Sequence, residues 1–154
     1  MATTSQSFLL EIVTPFRKVF SERVSAIVAP GEEGYFGVLP GHTPLLTSLQ
    51  TGYLKVEQNP DLFSKEIKDG RGEETRVLYF AISGGFAEVL PNGVKIFAET
   101  AEAAAEIDVK RAEAAKERAG NRLREGRKQW NLNRAHASLA RAKNRLEVAE
   151  RATK

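Results

Sequence analysis

Few side chains in this sequence are equipped for chemistry. The 154-residue chain has two histidines, His42 and His136, which fall in different halves, and it has no cysteine. A paired-histidine metal motif, a thiolate nucleophile and a disulfide are therefore excluded. No serine, histidine and acid stand in an order that suggests a triad, and no lysine-bearing phosphate loop is present. Gly31–Gly37 (GEEGYFG) is glycine-rich, but Glu32 and Glu33 would repel phosphate, and no lysine or helix follows. It reads as a turn, and its two carboxylates lack further ligands for a metal. Arginine remains. Asp108, Arg111, Ala115 and Arg118 follow i, i+3, i+7, i+10 spacing and share one helix face, while Arg141 and Arg145 are i, i+4 neighbours. Guanidinium groups suit phosphate because their donors form a rigid fork of fixed charge. The same spacing also describes ordinary surface pairs, Asp108 with Arg111 and Glu147 with Arg151, each stabilising a helix by ~0.2–0.5 kcal/mol.

The elements that must carry these arginines differ sharply from the rest of the chain. Residues 1–98 hold 9 Lys/Arg against 11 Asp/Glu, whereas residues 99–154 hold 14 against 9. From Arg127 onward there are 8 basic and 2 acidic residues. A basic appendage on a near-neutral body favours an anionic partner, whether nucleic acid, a nucleotide or an acidic protein surface; a solvated helical face carries the same charges. The hydrophobic fraction of 42% and charged fraction of 28% are those of a globular protein. No stretch approaches the ~20 apolar residues of a membrane span. The opening MATTSQSFLLEIV lacks the positive region of a signal peptide.

The first 98 residues read as strands. Phe8–Val13 is apolar and partly β-branched, and Arg23–Ala29 alternates, with Val24, Ala26 and Val28 on one face. Further runs are Tyr35–Leu39, Leu45–Leu49, Tyr53–Val56, Val77–Ile82, Phe86–Leu90 and Val94–Ala98. Pro91-Asn92-Gly93 predicts a hairpin turn using φ > 0 geometry. Short strands at this spacing imply an antiparallel sandwich or barrel. Between them Glu57–Arg76 is a polar excursion, expected as a long hairpin loop.

After Glu99, residues 101–125 and 130–152 are rich in helix formers. Leu132, Leu139 and Leu146 fall seven apart, as do Ala135, Ala142 and Ala149, which predicts a narrow apolar seam. Val109, Ala112, Ala119 and Leu123 offer the facing stripe, and Gly126 supplies a turn. The expectation is a helical hairpin whose alanine-rich seam buries little area and holds weakly. The predicted division is 1–98 and 99–154.

Gly34–Leu46 (GYFGVLPGHTPLL) is a rigid turn between apolar strands, suited to contact. It resembles the pattern G-x-x-G-V-L-P-x-H-x-P-L of F-type ATP synthase epsilon subunits. TPFRKVFSERVSAIVAPGEEG is similar to that family's opening strands, and AISGGFAEVLPNGVKIFAETAE to its later strand pair and the run into the helices. The resemblance covers almost the whole chain, excepting an enlarged segment at 58–75. It implies an α+β chain, a ten-stranded antiparallel β-sandwich followed by a two-helix antiparallel hairpin. It further implies a bacterial-type, non-catalytic rotor subunit, peripheral on the cytoplasmic face of the plasma membrane. The expected partners are the gamma subunit, the c-subunit ring and the alpha and beta catalytic subunits, with no membrane insertion and no nucleic acid. Tyr35, Pro40, Gly41 and His42 correspond to the c-ring contact loop, although His42 equally suits a turn-stabilising role.

Ile107-Asp108-Val109-Lys110-Arg111-Ala112 fits the I/L-D-x-x-R-A motif of epsilon subunits that bind ATP. By that resemblance a folded hairpin converges Arg118, Arg141 and Arg145 on a polyphosphate, while Glu102 and Asp108 meet the adenine or ribose. Ile107, Arg111 and Ala112 complete the set. ATP is then a regulatory ligand, with no cofactor or metal required. Bound across the folded hairpin, it would oppose an extended state that restrains ATP hydrolysis. The runner-up is a basic nucleic-acid-binding module; it lacks aromatic interleaving in the basic stretch, where Trp130 stands alone. A small hydrolase would need an acid/base pair that is missing.

Overall fold

Alternation of side chains places the sandwich core. In the strand Phe8–Val13 (β1) every second residue is buried, so Phe8, Leu10 and Ile12 point inward. The same period holds in Gly52–Gln58 (β6), through Leu54 and Val56, and in Gly93–Phe97 (β9), through Val94 and Ile96. The computed structural model describes residues 6–62, 75–126 and 131–153, and the bulk of the 58–75 segment, with Trp130, lies outside them. The remaining strands are Lys18–Val24 (β2), Ala26–Gly31 (β3), Gly34–Val38 (β4), Leu45–Ser48 (β5), Arg76–Ser83 (β7), Phe86–Leu90 (β8) and Thr100–Ala103 (β10).

The ten strands form two five-stranded sheets, β2-β1-β9-β8-β5 and β10-β7-β6-β3-β4. Their inner faces share one apolar core. Pairing is antiparallel apart from β1 with β9, which run parallel from Leu9↔Gly93 to Val13↔Phe97.

Arg23–Ala29 is a corner rather than one strand. The chain leaves the first sheet at Val24 and enters the second at Ala26. Alternation slips by one residue there, so Val24, Ile27 and Ala29 all reach the core. Ser25 is buried at the bend; its N–H donates to Glu57 O at 2.8 Å and its Oγ accepts from Asn59 N at 2.8 Å. The hairpin at Pro91-Asn92 forms with Leu90 facing Gly93, but without the expected positive φ at Asn92 or Gly93. Proline at the first turn position fixes φ near −65° and forbids the primed turn. Left-handed geometry is used instead at Gly84 and Gly85. A Cβ on Gly85 would lie 1.8 Å from Phe97 O, so the closeness of the β8–β9 backbones depends on that glycine.

Beyond the compositional break at Glu99 the chain makes one more strand. β10 pairs with β7 from Thr100↔Ser83 to Ala103↔Phe80. A single turn of 3-10 helix, Ala104–Glu106, then leads to Val109–Glu125 (α1) and Leu132–Ala152 (α2). Asp108 and Asn131 start the helices, their side chains accepting from Arg111 N at 3.0 Å and Arg134 N at 3.2 Å. Gly126 ends α1 at φ 57°, the left-handed cap that glycine supplies without strain.

The hairpin folds back on the second sheet. The helices meet through Ala112 and Ala119 of α1 and Ala135 and Ala142 of α2, all buried. Val148 and Ala149 of α2 pack with Ile107, Tyr53, Tyr79 and Ala81. The leucine series lies to one side of this seam: Leu132 is exposed, and Leu139 and Leu146 line a groove on the outer side of the hairpin beside Glu113, Lys116 and Gly120. Alanines win the interface because they permit close backbone approach.

Candidate functional site

The folded hairpin encloses a cleft of about 460 Å³. Strand β10 and the 3-10 turn supply its acidic end, through Glu102 and Glu106, with Asp108 at the head of α1. Helix α1 contributes Arg111, Arg118 and Arg122 at spacings of seven and four, which return to one face every two turns and every turn. Helix α2 contributes Ser138, Arg141 and Arg145, again one turn apart. Five arginines thus face three carboxylates across one opening. The cleft falls within the roughly 300–1,000 Å³ of small-ligand pockets.

Several of these groups already hold one another in place. Arg145 Nε donates to Glu102 Oε2 at 3.0 Å, tying α2 to β10. Arg141 Nη2 donates to Ser138 Oγ at 3.2 Å, which orients its guanidinium along the helix. Glu106 accepts from Arg17 of the β1–β2 loop at 3.5 Å. Asp108 spends one carboxylate oxygen on the α1 cap. Such an arrangement is dipolar. Its arginine walls suit a polyanion, and its carboxylate end suits hydrogen-bond donors such as an exocyclic amine.

Seven of the eight residues singled out in the sequence line this cleft: Glu102, Asp108, Arg111, Ala112, Arg118, Arg141 and Arg145. The eighth, Ile107, is buried behind it with Val148 and Ala81. Sequence reasoning missed Glu106, Arg122 and Ser138. The spacing of Arg122, one turn beyond Arg118, was the available signal. Glu106 gave none, because the segment around it reads as helix and forms a strand and a turn.

The second set of residues divides. Pro40, Gly41 and His42 form the turn between β4 and β5, held to the neighbouring hairpin by Gly41 N–H donating to Pro91 O at 3.0 Å. His42 Nδ1 donates to Thr43 O at 2.6 Å, which fixes the ring on the turn. Around this tip Leu39, Leu45, Leu46 and Leu90 are exposed, Leu46 by 70%. Tyr35 lies elsewhere, near the other end of β4. Its ring stacks on Tyr53 at 4.4 Å, and its hydroxyl accepts from Tyr53 N at 3.2 Å. Burial there raises the hydroxyl pKa above its ordinary value, partly offset by that hydrogen bond. Arg151 of α2 sits 4.3 Å from the centre of the Tyr53 ring and pairs with Glu147 at 2.9 Å. Tyr35 therefore belongs to the surface on which the hairpin rests. Among the described residues no cluster of three or more His, Asp or Glu converges as a metal site.

Comparison with known proteins covers both halves of the chain. Residues 7–104 match the β-sandwich domain of the ATP synthase Delta/Epsilon chain, and residues 105–150 match the long α-helix domain of the same chain. The ATP synthase epsilon chain of Syntrophobacter fumaroxidans is 48% identical over 147 residues, covering 96% of this chain and 98% of that one. That of Desulforamulus reducens is 42% identical over 141 residues, covering 92% and 96%. A chain in the cryo-EM structure of the Euglena gracilis mitochondrial ATP synthase (OSCP, F1 and c-ring in rotational state 1) superposes with a TM-score of 0.70. It is 25% identical, with 97% of this chain and 82% of that chain covered.

Proposed function

This chain belongs to the Delta/Epsilon-chain family of ATP synthases, as an epsilon-type, non-catalytic subunit, and from that premise we propose a division of labour between its two parts. The sandwich couples: it binds the gamma subunit and rests on the c-subunit ring. The hairpin regulates: folded, it holds ATP as a regulatory ligand; released, its basic second helix reaches acidic surfaces of the alpha and beta catalytic subunits and restrains ATP hydrolysis. The chain works as a peripheral subunit on the cytoplasmic face of a bacterial plasma membrane. Among the described residues no helix is long and apolar enough to cross a membrane.

The observation that carries the reading is the five-arginine cleft. Its walls come from α1, α2 and β10 together, so opening the hairpin takes it apart. A ligand that requires all three walls binds the folded state better and shifts the population toward it. Guanidiniums that face each other across a cleft suit a compact polyphosphate, whereas a nucleic-acid surface needs its cations turned outward along a backbone. For the sandwich, support comes from the exposed leucines around Pro40, Gly41 and His42, an apolar tip that water alone does not stabilise.

Deleting residues 105–154 from the assembled synthase tests the division. The deletion spares β10, which completes the second sheet. Assembly should persist and ATP hydrolysis should rise. Loss of assembly, or unchanged hydrolysis, would refute the assignment of regulation to the hairpin.

A further inference from the structure

We propose that Asn144 is a register lock for the hairpin, a positioning residue whose amide fixes α2 on the second sheet and so sets the arginine wall of the cleft. Asn144 is 9% exposed in the middle of α2. Its Nδ2 donates to Gly52 O at 2.8 Å and to Ile82 O at 3.4 Å. Gly52 and Ile82 stand opposite one another in the β6–β7 ladder. One side chain therefore bridges a facing strand pair.

Asparagine is a costly choice at this place. It is a weaker helix former than alanine or leucine, and burying its amide gains nothing unless hydrogen bonds are made. An apolar residue would bury more favourable area. What the amide adds is position. The apolar contact of α2 with the sheet is small, Val148 and Ala149 against Tyr53, Tyr79 and Ala81, and a patch of that size specifies register weakly. Two carbonyl oxygens at fixed places on a sheet admit one register.

The other polar ties of α2 to the sheet are of a different kind. Arg145 with Glu102 is half-exposed and lies in the cleft itself, where a ligand that recruits either side chain disturbs it. Arg151 over Tyr53 lies two turns further along. Asn144 does not line the cleft, yet it precedes Arg145 directly and follows Arg141 by three residues. Its hold survives ligand entry. The lock itself stands on the hydrogen bonds; its consequence for ligand binding rests on the nucleotide reading above.

The full-length chain tests this, because with no native cysteine it accepts two unique spin labels at Gln50→Cys and Ala140→Cys. The labels report the docked and undocked populations of the hairpin in the wild type, Asn144→Ala and Asn144→Leu. Alanine cannot overpack and leucine leaves no void, so together they isolate the hydrogen bonds. Both raise helix propensity, and far-UV circular dichroism confirms that α2 persists. The ratio of undocked to docked chains should rise about tenfold in both variants, as expected for losing two buried hydrogen bonds. Apparent ATP affinity should fall in proportion to the docked fraction. An unchanged or smaller ratio in Asn144→Ala overturns the lock. So does an affinity loss at constant docked fraction, which would make Asn144 a shaper of the cleft. If the wild type binds no ATP, the nucleotide reading fails, and the label distances alone decide on Asn144.

Discussion

The interior of the sandwich and the bed of the hairpin are built from opposite materials. Between the sheets lie Phe8, Leu10, Ile12, Ile27, Leu54, Ile82 and Ile96, each under 2% exposed. Each such side chain contributes roughly 1.5–3 kcal/mol on burial. Within the hairpin and beneath it the buried set is Ala112, Ala119, Ala135, Ala142, Asn144 and Val148, with Ile107 and Ala81 at its base. An alanine adds one methyl, about 0.8 kcal/mol at most. The missing apolar energy is replaced by directional contacts: the Asn144 amide, the Arg145–Glu102 pair and Arg151 over Tyr53. A module held by area stays folded. A module held by a few aligned polar groups can be released by a change at one of them, as a regulatory element requires.

The largest effect that would sharpen this contrast comes from the core. Leu10→Ala should destabilise the whole chain by ~2–5 kcal/mol, with sandwich and hairpin signals lost together in denaturant. A hairpin that outlives the sandwich would break the hierarchy. Next comes Ala142→Leu, where the inter-helix seam has no room. Overpacking should cost about 1–3 kcal/mol, read as hairpin opening by hydrogen exchange while β-sheet amides keep their protection. Protection lost equally in both regions would show that the seam is not separable.

Much of this contrast was legible beforehand, for physical reasons. β1 was readable to the residue because FLLEIV is an apolar, partly β-branched run closed by Thr14-Pro15, and the hairpin because two long runs of helix formers flank Gly126. β2 was not, since an edge strand reading KVFSERV leaves most of its side chains in solvent. β10 was hidden by composition: TAEA favours helix, and pairing with β7 overrides that preference. Arg111, Arg118, Arg141 and Arg145 were singled out through the resemblance to ATP-binding epsilon subunits; helical spacing showed only that those of each helix share a face. Asn144 was invisible because a polar residue in a basic helix looks like surface until the sheet beneath it is known. The resemblance grouped Tyr35 with Pro40, Gly41 and His42 in one loop, and β4 sets Tyr35 apart from the other three.

Smaller effects sharpen the account on the hairpin side. Arg151→Ala should loosen the end of α2 by ~0.5–1 kcal/mol through loss of the contact with Tyr53, seen as increased exchange in the last turns alone. Gly120→Ala should act in the other direction. A Cβ there meets nothing nearer than an Arg124 nitrogen at 4.0 Å, so the glycine weakens α1 without a packing reason. The substitution should stabilise the hairpin by roughly 0.5–1 kcal/mol, raising its exchange protection but not that of the sandwich.

The central claim is that the cleft between hairpin and sheet holds a nucleotide polyphosphate. Calorimetric titration of the full-length chain with ATP addresses it most directly, compared with Arg141→Ala and Arg145→Ala. One saturable site is expected in the wild type, weakened at least tenfold by each substitution, as loss of a charge-assisted contact requires. Absence of binding in the wild type, or equal binding in all three chains, would contradict it.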